Sequence, residues 1–302
     1  MKSDLDCLNP KITIGMPVYN SEKFIKQSID SILTQTFTDF ELIISDNAST
    51  DSTSNICKNY EKIDKRIKYI RHEKNRGQSF NFPYVLSEAK TKYFVWLAAD
   101  DYWHSTFLEK NISILESNNN VVGSIGLVKF YGVEGWKIKN NFMFKLKNYL
   151  RRNHNEKYIH VMPAFGPYKE KSGKYLRFNQ GSFTYGLFRT EKLKKRIVSV
   201  DLPAWDLILI LNILKEGDLH VVDEILLYRF VSGVHSEYGL LSFYKKGIFS
   251  ISDIIIPYSS LSLWCIKNIG FRFFIKNIDW FILLTIYGWR SILLEILDQR
   301  QK

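Results

Sequence analysis

Cysteine is scarce and odd in number: Cys7, Cys57 and Cys265 are the only three in 302 residues. They lie far apart and form no C-x-x-C pair, so neither a disulfide framework nor a zinc site is indicated, and a reducing compartment fits best. The chain also lacks G-x-G-x-x-G and G-x-x-x-x-G-K-[ST], whose backbone amides cradle phosphate. That argues against a dinucleotide oxidoreductase and against a P-loop nucleotide hydrolase. Nothing apolar follows Met1-Lys2-Ser3-Asp4-Leu5-Asp6 as a signal peptide would require, which predicts a cytoplasmic catalytic part. Toward the C-terminus the apolar runs 254–266 and 280–289 are bounded by Asp253, Lys267, Asp279 and Arg290, leaving 13 and 10 residues. A bilayer span needs about 20, so helices lying at a membrane surface, or packed on the rest of the chain or on a second subunit, are the expectation.

What is present is a globular composition, 45% hydrophobic and 15% aromatic, in a length that suits one large α/β domain or a domain with an extension. The net charge of +11 is unevenly divided: residues 1–120 carry −1 and residues 121–302 carry +12. Most of the excess lies between 129 and 200, where 17 basic residues face 4 acidic ones. These include Lys145, Lys147, Arg151, Arg152, Lys169, Lys171 and Lys174, and the Lys192-Lys194-Lys195-Arg196 cluster. Such a stretch reads either as a field for an anionic membrane or nucleic acid, or as a solvated lysine-rich surface.

Strand-like and helix-like patterns alternate over the first 120 residues. Ile12-Thr13-Ile14-Gly15-Met16 predicts a strand stopped by Pro17, which has no N–H for a sheet ladder. A helix follows, capped by Ser21 or Asn20, with Phe24, Ile25, Ser28, Ile29, Ile32 and Leu33 on one face. Phe40-Glu41-Leu42-Ile43-Ile44 predicts a second strand, a helix capped by Asp51 or Thr50 runs to about Lys62, and 67–70, 78–89 and 93–97 predict strand, helix and strand. This rhythm implies a mainly parallel sheet with right-handed crossovers. In open sheets of that kind ligands bind beyond the carboxyl ends of the strands. There the chain puts Pro17-Val18-Tyr19-Asn20, Asp46-Asn47 and the adjacent pair Asp100-Asp101. Carboxylates suit Mg²⁺ or Mn²⁺, which take one or two of them and complete their shell with substrate phosphates. Each acidic strand end has a plain alternative as an Asx-turn, a helix cap or a solvated turn.

Four motifs carry a resemblance: Ile14-Gly15-Met16-Pro17-Val18-Tyr19-Asn20, then Phe40-Glu41-Leu42-Ile43-Ile44-Ser45-Asp46-Asn47-Ala48-Ser49-Thr50-Asp51, then Asn75-Arg76-Gly77, then Trp96-Leu97-Ala98-Ala99-Asp100-Asp101. In order and spacing they resemble the N-terminal half of family 2 glycosyltransferases of GT-A fold, of the bacterial or archaeal surface-glycan type. The likeness is dense over 11–115, returns around 181–235 and fades elsewhere. It implies that Pro17 and Tyr19 line a nucleotide-base pocket, that Asp46 accepts a hydrogen bond from the base, and that Arg76 lies near base or phosphates. It implies further that Asp100 faces ribose or metal and that Asp101 is the direct metal ligand. Ala98 departs from the pattern, since many members carry another Asp there.

The same resemblance offers a base to deprotonate the acceptor hydroxyl. Asp206 lies in Pro203-Ala204-Trp205-Asp206-Leu207-Ile208-Leu209-Ile210-Leu211, eleven residues before Gly217, the offset of the family's catalytic aspartate, with Trp205 replacing the acid that normally precedes it. A carboxylate beside Trp and long aliphatics should have its pKa raised by desolvation, which suits proton transfer; the alternative is that Asp206 caps the helix. Val221-Val222-Asp223-Glu224-Ile225-Leu226-Leu227-Tyr228-Arg229-Phe230 resembles the closing strand of the catalytic domain, after which relatives place a metal- or diphosphate-binding His; here the first is His235. The segment 181–189 looks like an acceptor-side strand, or an ordinary aromatic one.

The resulting expectation is an α/β GT-A domain over 1–235, with a nucleotide-sugar half at 11–120 and an acceptor half at 121–235. An amphipathic helical extension over 236–302 follows. The resemblance implies an inverting, Mn²⁺- or Mg²⁺-dependent transferase with a nucleotide-sugar donor, a UDP-sugar favoured. Its acceptor is a glycan or a polyprenyl-diphosphate-linked glycan in surface polysaccharide or glycoconjugate synthesis. Membrane contact through Phe271, Phe273, Phe274, Trp280, Trp289 and nearby Lys245, Lys246, Lys267, Arg272 and Lys276, at the inner face of the cell membrane, and homo-oligomerisation complete it. A sugar-nucleotide pyrophosphorylase is the first rival, though Pro17-Val18-Tyr19-Asn20 does not resemble its Gly-rich loop. A non-enzymatic nucleic-acid-binding protein is the second, and it leaves the aspartates unexplained.

Overall fold

The computed structural model describes residues 10–132, 161–178, 181–198, 204–230, 241, 244 and 250–299. Its first half follows the alternation of the sequence: β1 Ile12–Val18, α1 Ile25–Leu33, β2 Phe40–Asp46, α2 Thr53–Ile63, β3 Ile67–Arg71, α3 Gln78–Glu88 and β4 Tyr93–Trp96. Then come β5 Tyr102–Trp103, α4 Phe107–Ser117, β6 Val121–Tyr131, α5 Tyr168–Phe178, a 3-10 turn Gly181–Tyr185, β7 Leu187–Arg189, α6 Thr190–Arg196, α7 Trp205–Ile213 and β8 Asp218–Phe230. All eight strands share one sheet, in the order β3-β2-β1-β4-β7-β6-β8-β5. The β3-β2-β1-β4 half is parallel, as expected. Beyond β4 the sheet is mixed, because the short β7 enters antiparallel to both β4 and β6, while β6 and β8 pair in parallel.

β1 does not stop at Pro17: it pairs with β2 through Pro17↔Ser45 and Val18↔Asp46. Leu97 N donates to Gly15 O at 3.1 Å, so Gly15 faces β4, and Pro17 faces the same side two residues on. β4 pairs with β1 only as far as Gly15↔Trp96, so nothing there requires the missing N–H. The α1 cap also differs from expectation. The Ser21 carbonyl, not its hydroxyl, accepts from Phe24 N and Ile25 N at 3.0 Å each, and the helix begins only at Ile25. Asp51 does serve α2, its Oδ1 accepting Thr53 N at 3.0 Å.

Among the described residues four more helices follow, α8 Ile251–Ile255, α9 Ser259–Asn268, α10 Phe271–Lys276 and α11 Ile278–Gln299. Arg177 of α5 holds Asp279 of α11 by two hydrogen bonds, at 2.9 and 2.7 Å. Phe273 and Trp280, expected to enter headgroups, are buried instead. Phe271 and Trp289 are exposed. The apolar run broken by Arg290 in the sequence is one continuous helix, and its stretch Ile278–Leu297 is long and apolar enough to cross a membrane by length and composition, with 28% of its most apolar window buried.

Candidate active site

The carboxyl ends of β1, β2 and β4 lie side by side because the strands are parallel and in register. At the first two, side chains tie neighbouring loops together. Asn47 donates to Asn75 Oδ1 at 2.8 Å and Gly77 O at 3.1 Å, and accepts from Arg76 N at 2.9 Å. The 75–77 loop is therefore fixed to the end of β2. Asp46 is fully buried. Its Oδ1 accepts Ser49 N at 2.8 Å, its Oδ2 accepts Tyr69 Oη at 2.6 Å, and Arg71 Nε stands 3.8 Å from Oδ2. A carboxylate expected to meet a nucleotide base is thus engaged inside the protein. Tyr19 is exposed, Pro17 is half-buried, and the exposed Arg76 lays its guanidinium 3.5 Å from the centroid of the Phe80 ring.

At the end of β4 the two adjacent aspartates diverge. Ser28 of α1 sets the turn, its hydroxyl 2.7 Å from the Ala99 carbonyl and 2.5 Å from that of Asp101. β5 then pairs antiparallel with β8 through Tyr102↔Tyr228, which brings the preceding Asp101 against Arg229 and Phe230. Asp101 Oδ2 accepts Arg229 Nε at 3.1 Å and Oδ1 accepts Phe230 N at 3.0 Å. Only 2% exposed, Asp101 is turned into the protein. Burial pushes its carboxyl up to about 6, against the pull of Arg229 and with the neighbouring Asp100 charge adding to the rise. Asp100 remains half-buried beside it, with its carbonyl accepting Tyr131 Oη at 2.6 Å.

Asp206 arrives from another part of the chain. It stands in the first turn of α7, half-buried, with Oδ1 accepting Leu207 N at 2.8 Å. Its carboxylate rests on Gly181: a Cβ built there would lie 1.6 Å from Oδ2. Gly181 opens the 3-10 turn that ends in Tyr185, and Tyr185 joins the two acidic groups. Its hydroxyl pKa is raised by burial, is drawn back by Arg229, and is raised again by the charges of Asp101, Asp100 and Asp206. The Arg229 guanidinium lies 4.5 Å from the Tyr185 ring centroid and donates to Ser182 Oγ at 3.2 Å. Arg229 and Gly181 therefore link the turn to the β4 end on one side and to the α7 start on the other.

Carboxylate oxygens suit Mg²⁺ or Mn²⁺. With Asp101 engaged by Arg229, and Ala98 in place of a further acid, the residues fit a cation only if the donor's phosphates complete its shell. Among the described residues no group of three or more His, Cys, Asp or Glu side chains is gathered for a metal; His235 lies outside the described residues. The resemblance marked the segment 181–189, as a candidate contact for donor sugar or acceptor, and the Tyr228-Arg229 pair, but nothing in the sequence joined Arg229 to Asp101 or Gly181 to Asp206.

The model of glycosyl transferase family 2 matches residues 13–171. The putative glycosyltransferase EpsE of Bacillus subtilis is 37% identical over 134 residues, 43% of this chain and 48% of that protein. The putative teichuronic acid biosynthesis glycosyltransferase TuaG of the same organism is 35% identical over 106 residues, 35% of this chain and 42% of that protein. An uncharacterised glycosyltransferase of Methanocaldococcus jannaschii is 33% identical over 152 residues, 48% of this chain and 52% of that protein. The chain thus spans about half the length of the curated relatives it matches. Among solved structures, S. aureus TarS 1-349 in complex with UDP-GlcNAc aligns with a TM-score of 0.56 at 20% identity, covering 78% of this chain and 64% of that one. The mannosyltransferase PcManGT from Pyrobaculum calidifontis, in complex with GDP-Man and Mn²⁺, aligns with a TM-score of 0.53 at 18% identity, covering 80% and 65%. At those identities the likeness speaks for the fold.

Proposed function

The chain belongs to glycosyl transferase family 2 and has the GT-A fold, and from that premise we propose that it moves a sugar from a nucleotide-sugar donor, a UDP-sugar first, to a hydroxyl of a glycan or lipid-linked acceptor with inversion at the anomeric carbon. The observation that supports this reading is the run of contacts from Asp101 through Arg229 to Ser182, whose neighbour Gly181 meets the Asp206 carboxylate. In the proposed complex the base of the donor lies along Pro17 and Tyr19, and its diphosphate reaches the end of β4 near Arg76 and Asp100. Asp100 would hold a divalent cation together with the donor's own phosphate oxygens, and such a cation supplies positive charge to the departing diphosphate. Arg229 holds Asp101 and thereby fixes the turn that presents Asp100. Asp206 takes the proton of the acceptor hydroxyl as that oxygen attacks from the side opposite the leaving group.

Two complexes guide the choice of donors. TarS holds UDP-GlcNAc and PcManGT holds GDP-Man, so a screen needs both bases. Apart from Lys192, Lys194, Lys195 and Arg196, which are engaged by Glu216 and the Ala89 carbonyl, the basic excess between 129 and 200 supports an anionic acceptor such as a polyprenyl-diphosphate-linked glycan, met at the inner face of the cell membrane. Thermal unfolding with UDP-, dTDP- and GDP-sugars, with and without Mn²⁺, tests the donor site: stabilisation by one class that needs the metal and is lost in Asp100→Ala is expected. Asp206→Asn should keep that stabilisation and lower transfer by about 100- to 10,000-fold. Substantial transfer by Asp206→Asn would remove Asp206 as the base.

A further inference from the structure

Between α5 and α10 lies a cavity of about 650 Å³. Met162, Phe178 and Phe273 give it an apolar wall, while Lys169, Lys174, Arg272 and Lys276 surround it with positive charge against one acid, Glu170. Arg177 also borders it, but its charge is matched by Asp279. Among the described residues the other four cations make no side-chain hydrogen bond or ion pair. The transfer centre is elsewhere: Tyr175, on another face of α5, is fully buried toward Asp206, whose charge adds to the burial that raises its pKa.

Gly173 sits on α5 at the cavity wall. Glycine weakens a helix relative to alanine, yet a Cβ there would meet only Phe273 at 3.7 Å and Asn277 at 3.8 Å, ordinary contact distances. Packing does not demand the glycine; its absent side chain leaves the cavity open. Next in the chain to the cavity residues Arg272 and Lys276, Phe271 and Ile275 of α10 are exposed, as are Ile282, Trp289 and Leu293 on α11.

We propose that this cavity binds the phosphate headgroup of a lipid, with the phosphate among Lys174, Arg272 and Lys276 and the start of the acyl chain on Met162 and Phe273. A free phosphate needs no apolar wall and a neutral lipid needs no cations; the two together select an anionic amphiphile. The inference gives a specific site to the membrane contact of the proposed function and rests on that part of it, not on the donor chemistry.

Calorimetric titration of the full chain with dihexanoyl phosphatidic acid below its micellar concentration tests it, with dihexanoyl phosphatidylcholine and inorganic phosphate as the other arms. The wild type should bind phosphatidic acid more tightly than either. Gly173→Leu projects a side chain from the cavity wall into its space without changing charge and should weaken binding at least tenfold; Lys174→Gln with Lys276→Gln should weaken it about 30-fold. Thermal unfolding checks that each variant folds, and the charge pair decides if Gly173→Leu does not. No binding by the wild type, equal binding of phosphatidylcholine or inorganic phosphate, or undiminished binding by the folded variants would overturn the proposal. Stabilisation by donor sugar, read on the same samples, reports the transfer site separately.

Discussion

The Asp206 carboxylate lies against Gly181, closer than a methyl group can tolerate: a Cβ on Gly181 would lie 1.6 Å from Asp206 Oδ2 and 2.4 Å from its carboxyl carbon. Gly181→Ala must therefore push the carboxylate aside. A misplacement of about 1 Å at a reacting group can cost on the order of 100-fold in rate, so this variant should lose transfer by that factor while donor-induced stabilisation, which does not involve Asp206, persists. A variant with normal transfer would show that Asp206 has no fixed place in the chemistry. Arg229 raises a different issue, because Asp101 is 2% exposed and relies on that guanidinium for its charge partner. Arg229→Ala leaves a buried carboxylate unpaired and should cost about 3–5 kcal/mol in urea unfolding. Adding Asp101→Ala removes the stranded charge, so the double variant should be more stable than the sum of the single losses predicts. Simple additivity would mean that the pair is not coupled.

Helix α6 shows how a charge run changes meaning once its neighbours are known. Lys192, Lys195 and Arg196 all converge on Glu216, at 2.9, 3.1 and 2.5 Å, while Lys194 Nζ donates to the Ala89 carbonyl at 2.6 Å. The sequence offered this cluster as part of a field for membrane or nucleic acid; in the fold it clamps α6 to the segment after α7. Burial alone would raise the Glu216 pKa, but hydrogen bonds from Lys192, Arg196 and Lys195 outweigh it and bring the carboxyl down from 4.5 to about 2. A depressed carboxylate contributes stability that is complete above its unfolded pKa and is lost as pH falls toward the folded one. Glu216→Gln should thus cost about 1–2 kcal/mol at neutral pH, allowing for screening of the exposed lysines, and should flatten the loss of stability between about pH 4.5 and 2. An unchanged acid limb would contradict the clamp. Elements of this kind divide into legible and illegible parts on physical grounds. β1 to β4 and their intervening helices came from apolar periodicity, which is local, and Asp46 and Asp100 followed as strand ends. The Asp101–Arg229 pair joins residues 128 apart through the register of β5 on β8, and no local pattern encodes register between distant strands. Gly181 was invisible for the same reason, since its purpose lies in a side chain on another helix.

At the scale of the whole molecule the C-terminal helices are either part of the catalytic fold or an attachment to it, and their packing favours the first. Leu261, Cys265 and Trp280 are fully buried, and Arg177, with a side chain 7% exposed, depends on Asp279 for its charge partner. Lys215, just beyond α7, lies 5.6 Å from the Trp264 ring centroid, and the Tyr258 hydroxyl is raised by burial and by the Asp206 charge. The extension therefore borders the cavity and meets the segment after α7. Asp279→Ala should lower stability by about 2 kcal/mol, less than a fully buried pair would lose because a third of the Asp279 side chain meets solvent. A chain ending before residue 250 should lose more: it exposes the apolar surface that these helices cover and should unfold at lower urea with a smaller denaturant slope, since less area is released. It should also lose transfer out of proportion to its donor binding, because the end of the α7 segment that carries Asp206 would lose the packing of Trp264 on Lys215. If the shortened chain unfolded at the same urea concentration and transferred sugar at the full rate, the helices would be an appendage, and the lipid site proposed between α5 and α10 could act only as a tether; loss of both places that site on the same rigid body as the transfer centre.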